Sequence, residues 1–198
     1  MSESLQELDH RGGGWRAALA GGALSVLCCG LAYPAVGTVI GSLLFPTAAT
    51  GSLVEREGEV VGSRLIAQPF ADPRYLMPRP SAAGYDPQAA AGSNLAASNP
   101  ALRERMKADS EAVAAREGID VTEVPVELIS ASGSGLDPHL SPAAAAVQIP
   151  RIARARGQSE AQVRAVIEAH TEGRVLGVYG QPRVNVLAVN LALDAAGR

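Results

Sequence analysis

The residues best suited to chemistry lie in one short block, in which two serines precede an aspartate and a histidine. Ser132 and Ser134 stand in a turn rich in Gly and Ser, and Asp137-Pro138-His139 follows directly. A carboxylate and an imidazole at this spacing can bind a metal or act as acid and base. A neighbouring serine would add a nucleophile, which makes hydrolysis the first activity to weigh.

Structural roles explain this block better than catalysis does. Asp137 can accept hydrogen bonds from loop amides, and His139 can bond to a backbone carbonyl. The turn also lacks the Gly-x-Ser-x-Gly elbow of many serine hydrolases. We therefore expect neither a catalytic residue nor a metal site. A membrane-anchored extracytoplasmic hydrolase using Ser132 or Ser134, Asp137 and His139 remains the alternative.

Motifs for nucleotide hydrolysis are missing from the chain. There is no Gly-x-x-x-x-Gly-Lys-Ser/Thr loop, no Asp-Lys-Thr-Gly sequence, and the one lysine, Lys107, lies within a predicted helix. We expect no cofactor to bind this chain directly. The net charge of −3 also gives no reason to expect a nucleic-acid partner.

A long uncharged run near the N-terminus predicts a transmembrane helix. No charged side chain occurs between Arg16 and Glu55, and residues 17–45 are almost wholly apolar or small. Roughly 20 helical residues cross a bilayer core, whereas a signal peptide has an apolar region of only about 7–15. We expect a retained span over 17–45, kinked at Pro34. Cleavage near Thr47-Ala48-Ala49 is the alternative.

The flanks of the run suggest an orientation. Arg16 directly precedes it, and long following domains cross a membrane largely regardless of their charge. We therefore expect a short cytoplasmic tail (1–16) and an extracytoplasmic domain. The excess of Arg over Lys, with abundant Ala and Gly, indicates a bacterial source. Both cysteines lie inside the span, so no disulfide framework is expected.

Beyond the span, the pattern predicts one α/β (α+β) domain over residues 60–198, joined by a linker at 46–59. Strands are expected at 60–68, 126–129, 175–179 and 184–193. Helices are expected from Asn99-Pro100 to Gly118, from Ser141-Pro142 to Gly157 with a kink at Pro150, and from Ser159 onward.

The stretch from Pro69 to Pro100 is rich in Pro, Gly, Ser and Asn and has little periodicity. Loops of this length are usually functional or disordered. Phe70, Tyr75 and Tyr85 supply apolar anchors, which favour an ordered loop. An anchored ligand-binding module built on this loop is a further alternative.

Several ordered blocks resemble the C subunit of the bacterial Kdp potassium-transporting ATPase, and the resemblance covers nearly the whole chain. Arg79 and Asn94 belong to these blocks, as does the segment with Ser132, Asp137 and His139. The family implies that these residues form an interaction or structural region. The blocks are residues 68–70, 73–75, 79–85, 92–95, 99–100, 130–142, 148, 151–157 and 180–187.

The resemblance implies a non-catalytic accessory subunit of a high-affinity potassium pump in the bacterial cell membrane. Its partners would be a channel-like potassium-translocating subunit, a P-type ATP-hydrolysing subunit and a small single-span subunit. The implied role is to stabilise the complex and, as a catalytic chaperone, to raise the ATP affinity of the hydrolysing subunit. ATP would enter only through that partner.

The resemblance also places a nucleotide contact at Gln148, in the helix after the Asp-Pro-His block. This conflicts with the expected topology, because ATP is cytoplasmic and the domain is expected outside. An external domain would more naturally lie over the potassium entry. A structural amide, on a helix surface or bonded to a turn, is therefore an equal alternative for Gln148.

Overall fold

The computed structural model describes residues 14–197, and the chain divides into two units, Met1–Gly51 and Ser52–Arg198. The first unit contains the apolar run. The second combines helices with two small antiparallel sheets, so the predicted mixed class is confirmed. Most of the expected tail, residues 1–13, lies outside the described residues.

The apolar run forms a helix, Gly14–Leu44, long and apolar enough to cross a membrane. Helix α1 (Gly14–Ser25) and helix α2 (Tyr33–Leu44) are joined by a π-helical segment, Val26–Ala32. Pro34 lacks an N–H and its ring crowds the preceding turn, so the expected disturbance appears as this wider turn. A short helix α3 (Pro46–Ala49) follows.

The domain begins with a hairpin where we expected a linker. Strand β1 (Leu53–Arg56) pairs with β2 (Glu59–Ser63). The linker prediction is wrong here because Glu57 (φ 57°) and Gly58 (φ 85°) form a two-residue turn suited to a hairpin. The strand predicted over 60–68 ends early, since the Ser63 hydroxyl accepts from the Leu65 N–H and the chain turns.

The predicted helix starts and stops are confirmed. Helix α4 (Pro100–Glu117) begins at the Asn99 cap and ends at Gly118 in the left-handed conformation. The next predicted helix divides into α5 (Pro142–Ala146) and α6 (Ile149–Arg156). Because Pro150 fits only the first turn of a helix, the break comes before it, at Val147 and Gln148. Helix α7 (Glu160–Ala169) follows with a capping box.

Three predicted strands are wrong. Residues 126–129 form a 3-10 turn, Val126–Leu128. Residues 175–179 form a loop closed by a single bridge, because Leu176 and Gly177 have positive φ. The last run divides into strand β5 (Arg183–Asn185) and helix α8 (Val186–Ala196).

Helix α8 starts where the Asn185 side chain accepts from the Ala188 N–H, and its buried apolar residues recur with helical spacing. Strand β5 is the centre of a three-stranded antiparallel sheet. Its neighbours are β3 (His139–Leu140) and β4 (Thr171–Glu172).

One hydrophobic core unites α4 to α8 and the sheet. Leu140, Ile152, Val163, Val184 and Leu193 are among its fully buried members. Residues 69–99 contribute little regular structure beyond a 3-10 turn at Pro87–Ala89. This long segment is nevertheless fixed against the helices by the contacts described next.

Candidate functional site

The Ser-Gly block around Asp137 packs against the long segment that begins at Pro69. Arg79 donates to the Asp137 carboxylate at 3.0 Å and to the Ser130 carbonyl. The Ser132 N–H donates to the Pro80 carbonyl, and the Ser81 hydroxyl donates to the Gly135 carbonyl. Two of the recognised blocks, 79–85 and 130–142, therefore form a single loop junction.

Glycine permits the close approach at this junction. A Cβ on Gly92 would lie 2.8 Å from the Gly133 carbonyl oxygen. A Cβ on Gly135 would lie 2.8 Å from the Ala91 carbonyl, and Gly135 also has a φ of 71°. At Gly92 and Gly135 the two segments thus approach so closely that a Cβ would clash with the facing backbone.

The geometry of the serines differs from that of a nucleophilic site. Ser132 is 3% exposed, and its hydroxyl accepts from the Gly135 N–H and lies 3.3 Å from the Ser134 hydroxyl. The His139 ring instead lies 3.7 Å from the Asp137 carboxylate, beyond hydrogen-bond distance. No serine–histidine hydrogen bond occurs within residues 14–197, so the hydrolase alternative gains no support.

The remaining site predictions fall in different places. Asn94 is exposed, with a φ of 50° that asparagine tolerates better than most residues. The His139 ring borders a cleft of about 480 Å³ that is also bordered by Arg64, His170 and Arg183. No group of three or more His, Cys, Asp or Glu side chains suited to a metal occurs among the described residues.

Gln148 lies in the interior, at 0% exposure, and braces the long segment. Its amide oxygen accepts from the Met77 N–H at 2.9 Å and from Arg151 at 2.7 Å. Its amide nitrogen donates to the carbonyls of Met77 and Ala144. An amide group has two donor hydrogens and two acceptor lone pairs, so all four are used. Gln148 is therefore a buried amide bonded to the backbone of the long segment, and it does not lie on a helix surface.

A buried ion pair extends this network. Arg151 donates to Glu117 at 2.9 Å, and the Glu117 side chain is fully buried. Arg151 also donates to the carbonyls of Pro73 and Tyr75. Burial lowers the pKa of the Arg151 guanidinium, and the Glu117 carboxylate opposes this effect. Helices α4 and α6 therefore hold residues 73–77 through one charged cluster.

Helix α8 also binds residues 73–77 through hydrogen bonds. The Asn190 amide exchanges two hydrogen bonds with the Leu76 backbone, at 2.7 and 2.9 Å. One turn later, Asp194 accepts from Arg56, Arg156 and Tyr75. Burial raises the pKa of the Asp194 carboxyl, but these three donors outweigh it, and the pKa lies below its usual value.

Two asparagines of the last run, Asn185 and Asn190, donate through their side chains to the backbone carbonyls of Arg64 and Leu76. The roles of Glu117, Arg151 and Asp194 as interior anchors were not predicted. The available signal was their spacing on helices, where each falls on the face that carries the apolar residues.

A family model and individual related proteins all indicate the same family. The sequence model of one family, described as KdpC: K+-transporting ATPase, c chain, matches residues 15–195. A potassium-transporting ATPase KdpC subunit of Xanthomonas campestris pv. campestris (strain B100) is 54% identical over 197 residues, covering 100% of this chain and 93% of that protein.

Proteins of two other bacteria are similarly related. The potassium-transporting ATPase KdpC subunit of Sorangium cellulosum (strain So ce56) is 56% identical over 170 residues, covering 84% of this chain and 90% of its own. That of Methylococcus capsulatus (strain ATCC 33009 / NCIMB 11132 / Bath) is 51% identical over 172 residues, covering 85% and 90%.

Proposed function

Since this chain belongs to the KdpC family of K+-transporting ATPase subunits, we propose that it is a non-catalytic accessory subunit of a potassium pump. It stabilises the assembled complex and raises the ATP affinity of the ATP-hydrolysing subunit. ATP binds to that partner and not to this chain. The other proposed partners are a channel-like potassium-translocating subunit and a small single-span subunit.

One observation carries the proposal: the polar side chains of the recognised blocks are used inside the domain. Arg79, Asp137, Gln148 and Arg151 bond to backbone, to one another or to the buried Glu117. Such a domain is suited to binding a partner through its surface, and less suited to chemistry, which needs reactive groups within reach of a substrate.

The buried position of Gln148 supports an indirect effect on ATP over direct contact with it. Every hydrogen-bonding capacity of its amide is used, so contact with a nucleotide would require the segment at Met77 to open. We propose that Gln148 maintains the shape of the surface that meets the pump. The family's effect on ATP affinity then passes through contacts between subunits.

Removal of this chain from the pump tests the role. The complex with and without it would be purified and assayed for potassium-stimulated ATP hydrolysis over a range of ATP concentrations. We expect loss of activity or a higher KM for ATP without it. An unchanged KM and turnover in a complex of unchanged composition would overturn the proposal.

We further propose that the domain is extracytoplasmic. Cys28 and Cys29 would be replaced, and a single cysteine placed at Val126, whose side chain is 64% exposed. A membrane-impermeant maleimide should label it in intact spheroplasts. Labelling only after permeabilisation would place the domain in the cytoplasm and contradict the proposal.

A further inference from the structure

The loop between β4 and β5 exposes four large apolar side chains together. Val175, Leu176, Val178 and Tyr179, here called the apolar tip, are 56%, 87%, 70% and 68% exposed. Surface hydrophobic residues are common singly, but a contiguous group marks a site of interaction. The apolar tip is such a group within five consecutive residues.

The backbone of the apolar tip is unfavourable for an isolated fold. Leu176 has a φ of 53°, a left-handed conformation that is unfavourable for a non-glycine residue. Its side chain is not covered by the rest of the described domain, as its exposure shows. The domain thus holds a leucine in a strained conformation and presents it to the outside, which indicates a role in binding.

Most backbone N–H groups of residues 175–179 are bonded within the loop, which reduces the cost of leaving water. Val175 and Tyr179 exchange two backbone hydrogen bonds, at 2.9 and 3.0 Å. The N–H groups of Gly177 and Val178 donate to the carbonyls of Arg174 and Val175. Four of the five N–H groups of residues 175–179 therefore donate to carbonyls within the loop. Backbone groups that enter a bilayer must be satisfied in this way, whereas a loop that remains in water has no such need.

We propose that the apolar tip inserts into the interfacial region of the lipid bilayer and forms a second membrane contact of this chain. Aliphatic side chains with a tyrosine are typical of such contacts. Arg174 lies beside the tip, bonded to the neutral Gln181, and its charge suits lipid phosphates.

The covalent tether makes this contact feasible. Eight residues, 45–52, separate the end of α2 from the start of β1, and four of them form helix α3, so the tether reaches less than about 30 Å. The span holds the domain near the bilayer at high effective concentration. A small apolar group is then sufficient to keep the domain in contact with the membrane. The same group without the tether would bind vesicles weakly. The proposal rests on the span crossing the membrane, and it requires no partner subunit.

The test uses fluorescence of the full chain in phosphatidylethanolamine/phosphatidylglycerol vesicles. The chain has one tryptophan, Trp15, which would be replaced by phenylalanine, and Leu176→Trp would supply the reporter. We expect a blue-shifted emission that is quenched by lipids carrying a nitroxide near the headgroup. Val126→Trp in the same background is the matched control, because Val126 is also exposed, and it should show neither effect.

In the unaltered chain, quenching of Trp15 by lipid nitroxides confirms correct reconstitution, because Trp15 lies at the end of the span. Emission from Leu176→Trp that matches that of Val126→Trp would overturn the proposal and leave the tip in water. A blue shift without lipid quenching would also overturn it, since the tip would then lie against protein. Because no other subunit is present, neither result bears on the role in the pump.

Discussion

Replacement of Gln148 by leucine tests whether this residue is an internal brace or a nucleotide contact. Leucine has a similar volume, so the change removes the amide without leaving a large cavity. The N–H and C=O of Met77, both bonded to Gln148, then lose their partners in the interior, and Arg151 loses one acceptor. Glu117 still neutralises the arginine.

The expected loss follows from these unpaired groups. A buried donor or acceptor without a partner costs about 1–3 kcal/mol, so Gln148→Leu should lower the free energy of unfolding by about 3–5 kcal/mol. In a domain of this size each kcal/mol corresponds to a fall of about 2–4 °C in Tm, which gives a fall of ~10 °C. Urea unfolding of the full chain in detergent, followed by circular dichroism, measures the first quantity.

Two comparisons sharpen this experiment. Gln88→Leu is the control, because Gln88 is exposed in the same long segment, and its stability should be unchanged. The second comparison is the KM for ATP of the assembled pump. If Gln148 contacted the nucleotide, Gln148→Leu would raise the KM for ATP and leave the stability of the chain unchanged. That pair of results would refute the assignment of Gln148 as a brace.

Three further perturbations address other parts of the domain. Glu117→Ala leaves Arg151 charged and buried without its partner, so stability should fall by about 3–5 kcal/mol in the same urea assay; a loss near that of Lys107→Ala, which breaks an exposed pair, would contradict this. Gly92→Ala should lower Tm because its Cβ meets the facing loop, whereas Gly133→Ala, with open space around its Cβ, should affect packing little. Asp194 has a folded pKa below its unfolded value, so its contribution to stability is present above the unfolded pKa and is lost as pH falls through the folded pKa. The midpoint of urea unfolding should therefore fall less between pH 6 and pH 3 in Asp194→Asn than in the native chain, and equal falls would exclude this role.

Local signals in the sequence predicted the helices well. Asn99, Ser141 and Ser159 each precede a helix and cap it, and Gly118 and Gly157 end helices in the left-handed conformation. These residues act through their immediate neighbours, so their effect is readable without knowledge of the tertiary structure.

Strands were predicted less well, because tertiary context decides them. The run from Val184 onward is apolar throughout, and such a run fits a buried strand or a buried helix equally. The Asn185 cap decides for a helix. At Val175 to Tyr179 the residue types favour a strand, but the positive φ of Leu176 and Gly177 turns the chain instead.

The candidate site was predicted in part. The segment around Asp137 was singled out, and its contact with Arg79 joins two recognised blocks. The interior position of Gln148 had no local signal, because its partners at Met77 lie 71 residues earlier in the chain. Pairings over such distances depend on the whole fold and cannot be read from spacing.

The hydrogen bonds between α8 and the N-terminal part of the domain also limit when that part can be anchored during synthesis. Asn190 bonds to Leu76 across 114 positions, and Asp194 bonds to Tyr75 across 119 and to Arg56 across 138. These contacts cannot form before α8 has been synthesised. The hairpin and residues 73–77 therefore lack these anchoring bonds, after their own synthesis, until the last helix has left the ribosome. A chain truncated before Asn190 would contain every one of the blocks that resemble the family and would still lack the hydrogen bonds that hold residues 73–77 to α8.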